Sequence, residues 1–399
     1  MRILYVHERF GPLGGAEANI LLTAQELQRR GHEVAIAFGG TDEAASADWR
    51  ETFATRFPID GATDSILAAS AIFSPDVVFL HKHSDSRILH ALAAGAAPVV
   101  RMVHDHDLYC MRSYKYNFFT RQICNRAASP YCVFPCGACV VRSSGTSLPV
   151  RWVSYRAKRR EIEANKKFNR LVVATDYMRD ELLKNRFPSD KIEIHAPVPR
   201  SGKVADEPSF SARNLIVYSG QIIRGKGVDV LLRALAKVES IFECRIFGDG
   251  NQRAKCERLS EQLGLKDRVH FEGFVPQSKI AEAYRDASVA VMSSLWPEPF
   301  GAAGLEAMRF GLPVVAFDAG GISEWLIDGV NGHLVAWGDA ESFALRLDTL
   351  LQNKALSRTM GVNGRNLADE RYNMEVYIEG LESLFNRVNT ESRSLSIRP

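Results

Sequence analysis

Residues 289–338 constrain this chain more than any other stretch. A short apolar run, Val289 to Met292, reads as a buried strand, and a polar loop carrying Pro297 and Pro299 ends it. A helix then opens at Gly301 and reaches Phe310, with Gly311 as its stop signal and a second apolar run, Val314 to Phe317, behind it. Strand, loop, helix, strand is one unit of a parallel sheet, and ligands bind such sheets at the carboxyl ends of the strands. Two carboxylates flank the loop. Glu298 precedes a proline, which biases it out of the helix and into extended backbone. Glu306 lies eight residues on, inside the helix. Between them Gly301, Ala302, Ala303 and Gly304 are small enough for their N–H groups to approach an anion at the helix N-terminus. A helix end that attracts phosphate, flanked by two acids, suits a sugar nucleotide better than an apolar ligand.

The run Glu298-Pro-Phe-Gly-Ala-Ala-Gly-Leu-Glu306 resembles the E-x7-E motif of retaining glycosyltransferases of the GT-B fold, family 4 (glycosyl transferases group 1). GGISEWLIDGVNGHLV behind it is similar to the family's segment after the motif. A lone pair of glutamates at this spacing carries little weight, because helix-face carboxylates are usually solvated. Spacing, PFG insert and flanking strands together are specific. The resemblance implies an α/β architecture of two Rossmann-like, doubly wound parallel-sheet domains facing a central cleft. It also implies that Glu298 contacts the donor sugar, that Glu306 holds the ribose hydroxyls, and that Phe300, Gly301 and Ala302 border the donor.

A chain of 399 residues, 46% of them hydrophobic, is expected to form two domains, or three, with sizeable cores. A net charge of +3 does not by itself imply nucleic acid. No apolar run approaches the roughly 20 residues of a membrane span, and MRILYVHERFG lacks a signal peptide's apolar region. The expectation is a cytoplasmic protein whose seven cysteines are thiols or metal ligands rather than disulfides.

The chain opens as strand Ile3 to Val6, loop, helix Glu17 to Arg30 and strand Glu33 to Phe38. Gly14 and Gly15 precede that helix. A lone Gly pair is usually a plain turn, but in the family a GG-A-E segment here faces the donor diphosphate. Strand Val99 to Val103 runs into His104-Asp105-His106-Asp107; read as continuing strand, this puts both histidines on one face and both aspartates on the other. The resemblance gives donor-sugar contact to His104, with His106 the second choice, and metal binding ranks below that. Residues 109–168 depart from the alternating pattern. They hold Cys110, Cys124, Cys132, Cys136 and Cys139, which read either as a structural zinc site or as thiols packed in an insertion. The basic stretch RWVSYRAKRREIEANKKFNR, with Trp152, Tyr155 and Phe168, is either a solvated helix or a surface for the inner, anionic face of a membrane.

Pro197, Pro199 and 201–211 read as a linker, giving an acceptor-binding domain at 1–200 and a donor-binding domain at 201–372. A helix at 373–388 is expected to return to the first domain, with a disordered tail at 389–399. In the donor domain Arg224 and Lys226 precede a helix, where two cations and a helix N-terminus can hold a diphosphate. Lys226 matches the family's lysine. The family's arginine position is occupied by Gln221, and Arg224 is assigned that charge instead. Phe274 and Val275 match the loop that reads the nucleotide base. The chemistry implied is transfer of a sugar from a UDP-, GDP- or other nucleotide-sugar donor to a glycan or lipid-linked acceptor in cell-surface polysaccharide or glycolipid assembly. The cations do what a divalent ion does elsewhere, so no cofactor or metal is required, and no side chain is an obvious covalent nucleophile. The competing readings are a GT-B sugar-nucleotide epimerase and a non-catalytic sugar-nucleotide-binding scaffold.

Overall fold

The computed structural model describes residues 1–12, 14–40, 46–60, 63–117, 119–142, 150–198, 211 and 213–396. The chain forms two compact units. Unit 1 comprises Met1–Tyr114, Asn125–Pro197 and Met374–Pro399, and unit 2 comprises Lys115–Cys124 and Val198–Asn373. The expected linker lies outside the described residues except at Pro197 and Ser211. Residues 115–124, expected in the first domain, belong to unit 2. Among the described residues, no helix is long and apolar enough to cross a membrane.

Unit 1 contains β1 (Arg2–His7), β2 (Glu33–Phe38), β3 (Thr55–Pro58), β4 (Val77–Leu80), β5 (Val99–Met102), β6 (Val140–Arg142), β7 (Val150–Trp152), β8 (Arg170–Val173) and β9 (Ile192–Ile194). Seven of these make one parallel sheet in the order β3-β2-β1-β4-β5-β8-β9, while β6 and β7 pair as an antiparallel hairpin. Largely apolar runs build the sheet's centre, with Arg101 of β5 the buried exception. Every residue of β4 and β5 is buried. The strand order reverses between β1 and β4. The loops after β1, β4 and β5 therefore emerge side by side at the carboxyl edge, where this class of sheet binds ligands.

The helix Met374–Ser396 packs on unit 1 through Tyr377, Ile378, Leu381, Leu384, Phe385 and Val388, all buried at the spacing of one helix face. Residues 389–396 continue this helix and are not the disordered tail that their polarity suggests. Glu391 takes both its oxygens to Arg170 at 2.9 Å, and Arg393 reaches Asp76 at 2.8 Å. Their polar side chains thus find partners on the unit's surface.

Unit 2 contains β10 (Leu215–Ser219), β11 (Glu243–Phe247), β12 (Val269–Gly273), β13 (Val289–Met292), β14 (Val314–Phe317) and β15 (Gly332–Val335), paired in the order β12-β11-β10-β13-β14-β15. Every strand pair is parallel. The order reverses between β10 and β13, which lie side by side with Ile216 opposite Val289. The loops leaving those two strands carry Lys226 and Glu298. Gly227 lets the first loop pass beneath the second. Its φ is +66°, and a Cβ there would stand 2.0 Å from the Ser293 carbonyl oxygen, so no larger residue fits.

Candidate functional site

At the reversal point of unit 2 two loops are locked together before any ligand is considered. The Gly225 carbonyl accepts from the Leu295 and Trp296 amides at 2.8 and 3.0 Å, and the Ser293 hydroxyl donates to the Lys226 carbonyl at 2.9 Å. Glu298 is extended, as its following proline requires. Its amide donates to Ala319 at 3.0 Å, and its carbonyl accepts from Gly321 at 2.8 Å. This backbone holds a carboxylate that is 4% exposed.

Three donors meet on Oε1 of that carboxylate. Lys226 Nζ lies at 2.6 Å, Trp296 Nε1 at 2.9 Å, and the Ser294 hydroxyl makes a short hydrogen bond. Burial alone would raise the Glu298 pKa, but the Lys226 charge and these donors outweigh it and hold the carboxyl below its ordinary range. No described residue donates to Oε2. The same lysine lies 4.9 Å from the centre of the Trp296 ring, so the indole contacts both members of the pair. One of the ammonium's three protons is directed at Glu298.

The helix Ala302–Arg309 starts from Gly301 at φ +85° with no side-chain cap. Its first amides are therefore not taken by a capping side chain, and Ala302 is exposed. Phe300 is 5% exposed, its ring packs on Tyr372, and its carbonyl accepts from Trp325 Nε1 at 2.6 Å, so its side chain supports the loop from inside. Glu306 is buried and accepts from Gln277 at 3.3 Å. The loop before Gln277 carries half-buried Val275 and Phe274, whose ring is 88% exposed. Arg224 sits in the same turn as Lys226, and Gln221 is exposed.

In unit 1 the carboxyl edge gathers His7, His81 and His104 from the ends of β1, β4 and β5. The rings of His81 and His104 stack at 5.1 Å, with Nδ1 of the first 2.8 Å from Nε2 of the second. Burial drives both pKa values down, His104 to about 3, so this is a bond between neutral rings. His106 is fully buried against Tyr109 at 2.7 Å, which leaves His104 as the half-buried ring of the two. The reading of HDHD as strand is corrected. β5 stops at Met102 and a 3-10 turn begins at His106, so Asp105 and Asp107 come together on Lys82 at 3.2 and 2.9 Å. Gly14 caps the first helix, but its amide donates inward to Glu17 at 2.8 Å. Burial lifts that carboxyl, whereas His7 and the Gly14 amide bring it down to about 2. The space beside Gly15 is open.

The cysteines do not converge. Cys132, Cys136 and Cys139 share a small apolar cluster around Met111, Cys110 packs in a different one, and Cys124 belongs to unit 2. Among the described residues no group of three His, Cys, Asp or Glu side chains is placed to hold a metal ion. The basic stretch divides into β7 and the helix Tyr155–Asn165. Phe168 is core and Lys158 pairs with Glu161 at 2.6 Å, whereas Trp152, Arg156, Arg159 and Arg160 are exposed.

Comparison with known proteins adds the following. Residues 202–367 match the family model described as glycosyl transferases group 1, and residues 13–197 match the model described as glycosyltransferase family 4. An uncharacterized glycosyltransferase of Methanocaldococcus jannaschii is 32% identical over 163 residues, covering 40% of this chain and 42% of that protein. The lipopolysaccharide core biosynthesis glycosyltransferase LpsE of Rhizobium meliloti is 30% identical over 161 residues, covering 40% of this chain and 46% of LpsE. The chain thus spans less than half the length of these two relatives. The crystal structure of Anabaena HepE in complex with UDP superimposes with a TM-score of 0.71 at 18% identity, over 96% of this chain and 99% of HepE.

Proposed function

The chain belongs to the group 1 glycosyltransferases and has their GT-B fold; from that premise we propose that it transfers a sugar, with retention of anomeric configuration, from a nucleotide-sugar donor to a glycan or lipid-linked acceptor. The observation that carries this reading is the pair of half-buried Lys226 and buried Glu298 at the carboxyl ends of β10 and β13. One carboxylate oxygen is saturated by three donors and the other faces no protein donor among the described residues, so it is set to accept a sugar hydroxyl. Lys226 keeps two protons for a phosphate oxygen, and the uncapped helix Ala302–Arg309 adds amides and its positive end. As the glycosidic bond breaks, these groups stabilise the departing diphosphate, while the Glu298 charge stabilises the oxocarbenium-like sugar. Glu298 is a weak candidate for covalent attack, because three donors fix its carboxylate in place and lower its nucleophilicity while leaving it charged. Attack of the acceptor from the leaving-group face is therefore the mechanism proposed.

The rest of the donor site is assigned on the family pattern. Glu306 would bind the ribose hydroxyls, Phe274 and Val275 the base, and Arg224 would share the diphosphate charge. His104, Gly14 and Gly15 are likewise proposed as donor contacts on the family pattern. The setting proposed is cell-surface polysaccharide or glycolipid assembly, in keeping with the name of LpsE. UDP bound to HepE makes uracil the first base to try.

Two experiments test this reading. In a thermal-shift screen of UDP-, GDP-, ADP- and dTDP-sugars, one donor should stabilise the protein, by about 2.7 kcal/mol at a hundred times its dissociation constant. A flat response to every donor and to every free diphosphate would sink it. Peripheral contact with anionic lipid is proposed from exposed Trp152 beside exposed Arg156, Arg159 and Arg160. Co-sedimentation with phosphatidylserine vesicles should exceed that with phosphatidylcholine and fall on Trp152→Ala. Equal recovery with both lipids would remove the membrane from the proposal.

A further inference from the structure

Residues 115–124 are covalently part of the first half of the chain, flanked on both sides by unit 1, yet they belong to unit 2. They form a small hairpin. Tyr116 and Ile123 make an antiparallel bridge, the Cys124 amide reaches the Lys115 carbonyl at 2.7 Å, and the Asn117 side chain caps the Phe119 and Thr120 amides at 2.8 and 3.0 Å. What the hairpin touches is the turn carrying Arg224 and Lys226.

Arg121 makes the principal contact. Its Nη1 and Nη2 bind the two oxygens of Asp229 at 2.7 and 2.9 Å, a forked pair, and Nη2 also donates to the Arg224 carbonyl at 2.5 Å. In return the Arg224 guanidinium donates to the Phe119 carbonyl at 3.3 Å. Tyr116 closes the arrangement from the side. Gly225 is so tightly held between Tyr116 and Trp296 that an added Cβ would lie 3.2 and 3.3 Å from them. The Asp229 carboxyl is raised by burial but held below its ordinary range by Arg121, so it is charged and the fork is ionic at neutral pH.

We propose that the Lys115–Cys124 hairpin is a positioning element of the diphosphate site, with Arg121 fixing the height of the Arg224–Lys226 turn and the direction of the Arg224 side chain. The proposal rests on the reading of that turn as the diphosphate site. A short turn presenting two cations is a useful anion site only if its backbone does not yield when the anion arrives. The Gly225 carbonyl and the Ser293 hydroxyl hold one side of the turn, and the hairpin holds the other. Arg121 itself acts through Arg224 and Asp229. Its loss should therefore raise donor KM by more than it lowers kcat, whereas loss of Lys226 itself should lower kcat and raise KM together.

The test uses the full chain and inorganic pyrophosphate, which carries the charge with no base to select, measured by calorimetry beside donor kinetics and melting temperature. Arg121→Ala and Asp229→Asn should each weaken pyrophosphate about tenfold, the loss expected when charge-assisted contacts are displaced. Arg121→Lys, which keeps the ion pair but not the fork, should fall between them and the wild type. Lys226→Ala is the control. If it loses affinity while the Arg121 and Asp229 variants keep it, whatever their melting temperatures, the hairpin is scaffolding and the inference fails alone. If Lys226→Ala binds pyrophosphate as the wild type does, or the wild type does not bind it, the diphosphate reading fails and takes the inference with it.

Discussion

Glu298→Gln should lower transfer about a hundred- to a thousandfold, the scale of removing one preorganised charge from a transition state, and should leave nucleoside diphosphate affinity equal or slightly tighter. The variant keeps the side chain's shape and removes its charge and one of its two accepting oxygens. In the wild type Oε1 gathers Lys226, Trp296 and Ser294, which leaves the second oxygen as the charged acceptor of a side chain that is almost wholly buried. An amide has only one accepting oxygen. If that oxygen keeps Lys226 and Trp296, an NH2 group points where the sugar hydroxyl would donate, and neither charge nor acceptor remains for the sugar. Lys226, no longer facing an anion, is freer to bind phosphate, hence the sign expected for the diphosphate. Release of diphosphate from the donor chosen by the screen gives the rate, and calorimetry gives the affinity. Turnover within about threefold of wild type would mean that this carboxylate supplies none of the electrostatic stabilisation argued for it.

Much of this site can be read in the sequence because its parts obey local rules. The apolar runs of β10, β13 and β14 are continuous, as strands buried on both faces must be. Glu298 lies outside the helix because Pro299 follows it. Trp296 is within reach of the same reasoning. It stands two residues before Glu298, close enough in sequence for its indole to reach the carboxylate once the chain bends at Trp296. Other parts obey no local rule. Lys226 and Glu298 are 72 residues apart and meet only because β13 inserts beside β10, which is a property of strand order. Arg121 is 108 residues from Asp229 and sits in an excursion with no periodicity to read. The departures from expectation have physical causes as well. HDHD follows a strand without a break in its pattern, yet β5 ends at Met102 and the chain turns. The polar end of the last helix resembles a solvated tail only until Glu391 and Arg393 meet Arg170 and Asp76, partners more than 200 residues away. CxxC spacing fixes Cys136 and Cys139 near each other but says nothing about where Cys110 and Cys124 lie.

Lys226→Ala is the complementary experiment, and its sign with pH identifies the state of the pair. Breaking a buried ion pair from one side leaves an uncompensated charge, a cost of about 3 kcal/mol at neutral pH. In the wild type the Glu298 pKa lies below its ordinary value of 4.5, so the pair's contribution is fully present above that value and is lost as pH falls through the folded pKa. In the variant the two Lys226 contributions are gone and burial, the largest influence on this carboxyl, pushes it upward. A raised pKa has the opposite linkage: the variant's penalty is greatest at neutral pH and is relieved as the carboxyl takes up a proton. The stability gap between the two proteins, measured by urea denaturation, should therefore be widest near neutrality and close as pH falls toward the ordinary carboxylate range. The same variant should bind nucleoside diphosphate at least tenfold more weakly, because one of two side-chain cations is gone while the helix N-terminus remains. A gap that is independent of pH would mean that removing Lys226 leaves the Glu298 titration unchanged, so that the two groups are not coupled by charge. The charge-paired state of the carboxylate argued from this contact would then have no basis.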